Sequence, residues 1–326
     1  MTRLAICGVG NIGKVHVENL LSLRGCQIAG LFDTNPAQAE CFGLHAYASF
    51  DELLNDPAVD AVVIASPSSS HRELACRALA TGKHLFVEKP LAGTLGDAVA
   101  IVEAASRSSC VVQVGFCERF NANYLEAKRA VKGGKLGTVR AIHSSRVAPY
   151  DMSNPAWELG VIDTAVHNID LILWLMGRSP LSILARGVQV YADSVMSHSA
   201  TIMMSFEDGA MAVDNIAWLK DQGHPLNQCA RSRMFIQGDA GSFEIDLTDR
   251  PSSLLNEDGF RKIDSVIIGA AEYAGCLKLQ FEYFLRSIED GAPVLAPVED
   301  ALAAERVAMA ALESLRRGEE VRLADR

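Results

Sequence analysis

The sequence lacks long apolar runs. Its longest stretches, such as 61–65 and 171–176, fall far short of the roughly 20 residues that a membrane-spanning helix needs. The first three residues lead directly into a strand-like run, so no secretory leader is expected. We therefore predict a cytoplasmic protein without a membrane partner.

Basic residues are also scarce. The 326 residues include 30 Lys and Arg against 40 Asp and Glu, which gives a net charge of −10. An acidic chain without a basic cluster is poorly suited to bind nucleic acid, so no nucleic-acid partner is expected. With 49% hydrophobic and 21% charged residues, the composition is that of a globular protein, and the length suits two domains.

The eight cysteines form no CxxC pair and no Cys/His cluster with the spacing of a zinc site. Most of them lie in apolar segments, where a buried, reduced thiol is the expected state. The sequence therefore predicts no bound metal.

The first third of the chain alternates short apolar runs with helical patterns. The runs are rich in Val, Ile and Leu on both faces, which is typical of parallel strands covered by helices on both sides. Such alternation predicts an α/β domain with an open, doubly wound parallel sheet. The predicted strands are 4–7, 27–32, 61–64, 84–87 and 111–114, and the predicted helices are 12–23, 36–42, 50–55, 70–80 and 95–106.

The pattern changes after about residue 120. Hairpin-spaced strands extend from 181 to 268, between a helix at 162–176 and helices at 274–288 and 298–317. We therefore predict a dinucleotide-binding domain over residues 1–120. An α+β domain over 121–326 follows, built on a large, mostly antiparallel sheet.

A glycine-rich turn joins the first predicted strand to the first helix. Its sequence is Gly8-Val9-Gly10-Asn11-Ile12-Gly13. In such a turn Gly8 permits the tight bend, Gly10 lets the backbone approach a pyrophosphate, and Gly13 allows close helix–strand packing. The helix N-terminus then faces the anion. The alternative is a glycine loop with a purely structural role.

Asp33 favours the dinucleotide interpretation, because it lies twenty residues after Gly13 at the end of the second strand. Its carboxylate can accept hydrogen bonds from ribose hydroxyls and would repel a 2′-phosphate. No cation follows it to receive that phosphate, since the next residues are Thr34 and Asn35. The sequence therefore predicts NAD rather than NADP as the cofactor.

A second candidate cofactor segment leaves the third strand at the same sheet edge. It includes Ser66, Pro67 and His71. The alternative is that a serine here, Ser69 or Ser70, only caps the following helix.

The fourth strand ends in Glu88-Lys89-Pro90. Pro90 restricts Lys89 to an extended conformation at the ligand-binding edge, where its ammonium can bond a substrate oxygen. Glu88 and Lys89 are also included in the predicted cofactor site. A surface lysine at a strand end is the alternative.

The helix at 162–176 carries Asp163, His167 and Asp170 on one face, at i, i+4 and i+7. An imidazole flanked by two acids is suited to proton transfer near neutral pH. The alternative is a solvated polar stripe.

These motifs together resemble those of the glucose–fructose oxidoreductase, inositol dehydrogenase and rhizopine-catabolism (Gfo/Idh/MocA) family. The resemblance rests on segments 8–13, 88–90 and 160–170 and covers essentially the whole chain in the family's order. It implies a Rossmann domain followed by a domain with an open, mostly antiparallel sheet. It also implies a homodimer or homotetramer formed through that sheet, and a cis bond before Pro90.

The resemblance further implies a catalytic set of Lys89, Asp163 and His167. In it, His167 takes the hydroxyl proton of a sugar or polyol, Lys89 stabilises charge on that oxygen, and Asp163 orients substrate or imidazole. In some family members the general base is the histidine and in others it is the lysine. The division of acid and base roles between His167 and Lys89 therefore stays open.

The substrate class is indicated less directly. Segments 115–121 and 145–149 are similar to the UDP-N-acetylglucosamine 3-dehydrogenase branch, and the helix at 162–176 is also similar to inositol 2-dehydrogenases. The family's inositol enzymes carry a His and an Asn near 146–148 that this chain lacks, which argues against myo-inositol. Arg119 and Arg146 are candidates to bind a charged sugar. Structural ion pairs on the domain interface are the alternative for both arginines.

Two other functions are compatible with this fold. One is reduction of a non-sugar carbonyl compound, and the other is a non-catalytic dinucleotide-binding regulator. A regulator would be expected to have lost Lys89 or His167, and both are present.

Overall fold

The computed structural model describes residues 1–150, 160–192, 197–220, 231–247, 252–256, 259–263 and 270–323. The chain divides into two compact units. The first unit consists of Met1–Phe120 and Tyr273–Leu302, and the second of Asn121–Glu272 and Ala303–Arg326.

A parallel sheet forms the centre of the first unit. Its strands are β1 (Thr2–Cys7), β2 (Cys26–Phe32), β3 (Ala61–Ile64), β4 (His84–Val87) and β5 (Val112–Val114). They lie in the order β2-β1-β3-β4-β5, and every neighbouring pair is parallel. All residues of β3 and β5 are buried, as expected for strands covered on both faces. The doubly wound sheet is confirmed.

The helices of this unit begin close to their predicted positions. They are α1 (Asn11–Leu21), α2 (Pro36–Glu40), α3 (Phe50–Asn55), α4 (Ser68–Ala80) and α5 (Leu95–Ser106). The Asn35 side chain accepts a hydrogen bond from the Ala37 N–H at 3.2 Å and caps α2. The N-cap residue of α4 is Pro67, so neither Ser69 nor Ser70 caps this helix.

The second unit contains a nine-stranded sheet within the described residues. The elements that follow α5 in the chain are α6 (Ala122–Lys132), β6 (Val139–Tyr150), α7 (Ile162–Met176), β7 (Ser182–Val188), β8 (Ser199–Ser205), β9 (Met211–Lys220), β10 (Arg231–Gly238), β11 (Gly241–Asp246), β12 (Ser252–Asn256), β13 (Gly259–Ile263), α8 (Ala270–Asp290), α9 (Val298–Arg317) and β14 (Val321–Arg322). Most of α8 and the start of α9 belong to the first unit, and the other elements belong to the second. The strand order is β13-β12-β11-β10-β6-β9-β8-β7-β14, and only β6 and β9 pair in parallel. The predicted antiparallel character is confirmed, although 264–268 of the predicted strand region lie outside the described residues.

The two faces of this sheet differ. Along β9, residues 212, 214, 216 and 218 are buried, whereas 211, 215 and 219 are exposed. Helix α7 packs on β6 and β9. The other face presents exposed apolar side chains on several strands, including Val188, Met211, Leu219 and Phe235.

Helix α8 explains why the first unit includes a C-terminal segment. The rings of Phe281 and Phe284 lie 4.6 and 5.9 Å from the ring of Phe86 on β4, between centroids. The Gln113 side chain of β5 also donates to the Gln280 carbonyl at 2.8 Å. The domain boundary predicted from the sequence placed all residues after 120 in the second domain, whereas the structure places 273–302 in the first unit. An amphipathic pattern shows that α8 has an apolar face, but it does not show which sheet that face covers.

Within the described residues, no helix is both long and apolar enough to cross a bilayer. The described residues also include no group of His, Cys, Asp and Glu that could hold a metal ion. The seven cysteines that are described are not disulfide-bonded.

Two adjacent leucines of α1 test the packing of the first unit. Leu20 is 2% exposed in the sheet core, and Leu21 is 56% exposed. We expect Leu20→Ala to lower the free energy of unfolding by about 2–5 kcal/mol, because it leaves a cavity. Leu21→Ala should change it by less than about 0.5 kcal/mol. Urea unfolding followed by circular dichroism measures both, and equal losses would contradict this packing.

Candidate active site

The glycine turn after β1 is closely packed. Gly8 has φ +94°, and a Cβ on it would lie 2.6 Å from the backbone of Ala65 and Ser66. A Cβ on Gly13 would lie 2.0 Å from the Gly8 carbonyl oxygen. A Cβ on Gly10 would meet no described atom within 4 Å. Two glycines therefore let helix and strand approach, and Gly10 leaves the turn open to a ligand.

The N-terminus of α1 is suited to bind an anion. Helix α1 begins at Asn11, followed by Ile12, and within the described chain no side chain caps its first turn. Its first N–H groups and the positive end of its dipole therefore suit a phosphate. The residues of this turn fit a bound dinucleotide.

Asp33 lies directly beside the glycine turn. One of its carboxylate oxygens accepts a hydrogen bond from the Val9 N–H at 2.7 Å, and the other accepts from the Asn35 N–H at 2.8 Å. The residue is half-buried. The structure therefore places a carboxylate at the position that the dinucleotide pattern requires. Burial, with a smaller contribution from the Asp33 charge, raises the pKa of the nearby Cys7 thiol to about 12.

The loop after β3 is held by His71, which is 1% exposed. One ring nitrogen lies 2.9 Å from the Ser66 carbonyl oxygen, and the other lies 3.1 Å from the Pro90 carbonyl oxygen. Burial lowers the pKa of this imidazole. The Ser66 hydroxyl bonds the Ser70 hydroxyl at 2.7 Å. His71, which the sequence predicts to bind cofactor, is therefore buried and joins the loop after β3 to the segment after β4.

Glu88 is buried and forms a pair that the sequence did not reveal. One carboxylate oxygen lies 2.7 Å from Nε2 of His16, a fully buried residue of α1. The other accepts from the Lys89 N–H at 3.0 Å. A Cβ on Gly115 would lie 2.8 Å from the same carboxylate, so a glycine is needed there. The only sequence signal for His16 was its position one turn after Gly13.

Lys89 and Pro90 follow β4 at the carboxyl edge of the sheet. The bond between them is cis, which confirms that implication of the family resemblance. Lys89 is half-buried, and its backbone is held by the Glu88 carboxylate. The lysine is therefore placed by a buried side chain.

Helix α7 carries the remaining candidates. Asp163 and Asp170 are 9% and 1% exposed, and His167 is half-buried. They share one face of the helix, as the spacing predicted. Burial on this face is unlike a solvated polar stripe, which would be exposed.

Arg146 lies in a buried network beneath α7. The residue is 2% exposed, and its Nε donates to the Asn168 side-chain oxygen at 2.9 Å. The Asn168 amide nitrogen donates to the Asp214 carboxylate at 2.7 Å. Arg146 is therefore bonded to a neutral amide of α7 within the second unit.

Arg119 is also held by protein groups. The residue is 1% exposed, and its guanidinium donates to the Leu295 carbonyl at 2.8 Å and to the Asp300 carboxylate at 2.6 Å. All three residues belong to the first unit. The ion pair joins the segment after β5 to the start of α9.

The candidate residues fall into two groups, one in each unit. The first unit brings together the glycine turn, Asp33, Ser66 and Glu88, with Lys89 at the same sheet edge. The second unit holds Asp163 and His167. The catalytic set is therefore divided between the units, and its assembly stays a prediction.

Comparison with known families agrees with this arrangement. Residues 2–116 match the oxidoreductase family with an NAD-binding Rossmann fold, and 124–244 match the C-terminal domain of the same family. The chain belongs to the Gfo/Idh/MocA family. NAD is the cofactor of this Gfo/Idh/MocA oxidoreductase, and its glycine turn and Asp33 have the geometry to hold it.

Curated relatives match over nearly the full length. A myo-inositol 2-dehydrogenase of Thermotoga maritima is 25% identical, over 98% of this chain and 98% of its own. A scyllo-inositol 2-dehydrogenase (NAD(+)) of Bacillus subtilis is 27% identical, over 98% of this chain and 96% of its own.

Solved structures share the fold. A scyllo-inositol dehydrogenase from Lactobacillus casei, with bound NAD(H) and scyllo-inositol, has a TM-score of 0.81 at 24% identity and covers 99% of both chains. A UDP-N-acetylglucosamine 3-dehydrogenase from Acidithiobacillus ferrooxidans also has a TM-score of 0.81 at 24% identity, covering 97% of this chain and 98% of its own. At this identity the likeness concerns the fold alone.

Asp33 should determine the choice of cofactor. We expect NAD to bind more tightly than NADP. Asp33→Ala should lower the ratio of the dissociation constants of NADP and NAD by about tenfold, or about 1.4 kcal/mol, because the carboxylate that repels the 2′-phosphate is lost. Fluorescence titration with both cofactors measures the ratio. Glu40→Ala, which removes an exposed carboxylate from α2, is the control and should leave it unchanged. Equal or tighter binding of NADP by the unmodified protein would refute the assignment.

Proposed function

We propose that this protein is an NAD-dependent dehydrogenase that interconverts a secondary alcohol and a ketone on a sugar or polyol. The observation that carries the proposal is the Asp163–His167 face of α7, in a chain similar over its whole length to inositol dehydrogenases. The cofactor geometry of the first unit and Lys89 at its sheet edge support it.

Three side chains carry the proposed chemistry. When bound, NAD supplies the hydride acceptor. His167 takes the proton of the substrate hydroxyl, while the Lys89 ammonium bonds the same oxygen and stabilises its developing negative charge. Asp163 orients the imidazole or the substrate. In the reductive direction His167 returns that one proton to the oxygen, which the Lys89 ammonium still bonds.

We propose that the substrate carries no anionic group held by Arg119 or Arg146. Both guanidinium groups are buried and bonded to protein oxygen atoms. Recognition of a phosphate by either would require those contacts to break, which is costly for a buried charge. An uncharged sugar or polyol is therefore favoured over a nucleotide sugar.

A substrate screen distinguishes the candidates. NADH absorbance is followed with scyllo-inositol, myo-inositol, neutral sugars, UDP-N-acetylglucosamine and non-sugar alcohols. Turnover of an uncharged polyol or sugar supports the proposal. Exclusive turnover of non-sugar alcohols favours the non-sugar reductase, and cofactor binding without any turnover favours a regulator.

The cytoplasmic location stays a prediction from the sequence.

Lys89 and His167 should each be needed for turnover. We expect Lys89→Ala and His167→Ala to lower kcat by roughly 10²-fold or more, the usual scale for general acid–base groups. The affinity for NAD should change little, and the double variant should lose less than the product of the single losses. Steady-state kinetics and NAD titration measure these effects.

His45→Ala and Lys135→Ala are matched controls, because both residues are exposed and neither lies on a strand of the nine-stranded sheet. Each should retain unmodified turnover. Near-normal turnover by His167→Ala would contradict the assigned role of the histidine.

We also propose that the protein is a homodimer or homotetramer associated through the outer face of the nine-stranded sheet. This face carries Val188, Met211, Leu219 and Phe235, which are 57%, 37%, 40% and 38% exposed. Exposed apolar side chains that recur on one face of a sheet suit association with another protein surface.

Light scattering tests this association. We expect a mass above the 35.1 kDa of one chain at micromolar concentration. Phe235→Lys should weaken association, because it places a charge on the interface. Leu21→Lys, on an exposed site of the first unit, should not. A single 35.1 kDa species of the unmodified chain would overturn the proposal.

A further inference from the structure

Helix α7 carries two rows of polar side chains, each with i, i+4 spacing. Asp163 and His167 form one row, and Thr164 and Asn168 form the other. The rows are offset by one residue, which is about 100° around an α-helix. Fixing the direction of one row therefore fixes the direction of the other.

The second row is bonded to the sheet at both of its members. Trp218 of β9 donates its indole N–H to the Thr164 hydroxyl at 2.7 Å. Asn168, which is 0% exposed, uses both ends of its amide. It accepts from Arg146 on β6 and donates to Asp214 on β9.

Asp214 is the deepest of these partners. It is 0% exposed, and it accepts from the Ser144 hydroxyl as well as from Asn168, both at 2.7 Å. Ser144 and Asp214 face each other in the register of the parallel β6–β9 pair. The Asn168 amide therefore bridges a buried guanidinium and a buried carboxylate on the two strands beneath α7.

Hydrogen bonds restrict this helix in a way that its apolar contacts do not. Burial of apolar surface is non-directional, so it tolerates small rotations of a helix about its axis. Hydrogen bonds weaken steeply when their angles change, and an unsatisfied buried amide or carboxylate costs free energy. Rotation of α7 would break bonds at Thr164 and Asn168 together.

We propose that Thr164 and Asn168 are positioning residues, which set the rotation of α7 and thereby aim Asp163 and His167. The inference rests on the proposed function of that face. Under this proposal the buried network that includes Arg146 holds α7 in one rotation. Asp214 and Trp218, which bond Asn168 and Thr164, are then needed to direct the His167 ring.

Two pairs of variants separate the hydrogen bond from charge and volume. Asp214→Asn and Asp214→Leu remove the same charge, but only the asparagine keeps an oxygen acceptor. Thr164→Ser and Thr164→Val differ in the hydroxyl. Thr81→Val is the matched control, because it removes the hydroxyl bond of an exposed threonine, to the Ala78 carbonyl, in the first unit and away from the nine-stranded sheet.

The direct readout is the His167 ring signal in nuclear magnetic resonance spectra. The full chain is labelled with ¹³C-histidine and saturated with NAD, and the signal is assigned from its loss in His167→Ala. The second readout is kcat with scyllo-inositol and myo-inositol as probes.

We expect the His167 signal to move in Asp214→Leu and Thr164→Val, and to stay near its original position in Asp214→Asn, Thr164→Ser and Thr81→Val. If either polyol is turned over, kcat should fall by about tenfold in the first two variants and recover in their conservative partners, while NAD affinity changes less than twofold. A loss of stability alone would not produce this pattern.

An unmoved His167 signal in folded Thr164→Val and Asp214→Leu overturns the inference. If Asp214→Leu does not fold, the Thr164 pair decides the question. The proposed function is tested separately, because it fails when His167→Ala keeps normal turnover of the enzyme's substrate. Impaired His167→Ala together with an unmoved signal rejects the inference alone.

Discussion

The contact between His16 and Glu88 is the constraint on which the first unit's sheet edge depends. Their side chains meet at 2.7 Å in a buried setting, between the helix that begins at the glycine turn and the end of β4. Phe86 and Phe281 surround the imidazole, with ring centroids 5.7 and 5.0 Å away. Such a pair is strong and directional because few water molecules compete for it.

Several features follow from that contact. The second Glu88 oxygen holds the backbone of Lys89, and Gly115 is small because a side chain would collide with the carboxylate. Helix α1 is tied to β4 as well as to its own strand. The turn that suits a pyrophosphate and the lysine predicted to act on substrate are therefore parts of one rigid arrangement within the first unit.

The second unit supports the Asp163–His167 face of α7 by the same physical means. Polar side chains of β6 and β9 bond α7 from below, and they are almost completely buried. Burying polar groups is favourable only when their hydrogen bonds are made, so each group specifies one arrangement of its neighbours. Family membership describes the fold and the cofactor, and the arrangement of α7 is described by these buried contacts.

The sequence by itself determined the features that depend on local spacing. Five strands, their helices, the glycine turn, Asp33 and the shared face of Asp163 and His167 were all predicted, because each follows from residues close together in the chain. Motif resemblance supplied the family and the cis bond before Pro90.

Tertiary structure alone decided which distant side chains meet. His16 and Glu88 are 72 residues apart, and Asn168 and Asp214 are 46 apart, so no local period connects them. It also decided that α8 covers the parallel sheet, and that Arg119 and Arg146 bond protein groups. Amphipathic spacing shows that a helix has an apolar face, and charge shows that an arginine needs a partner. Only packing selects which surface and which partner these are.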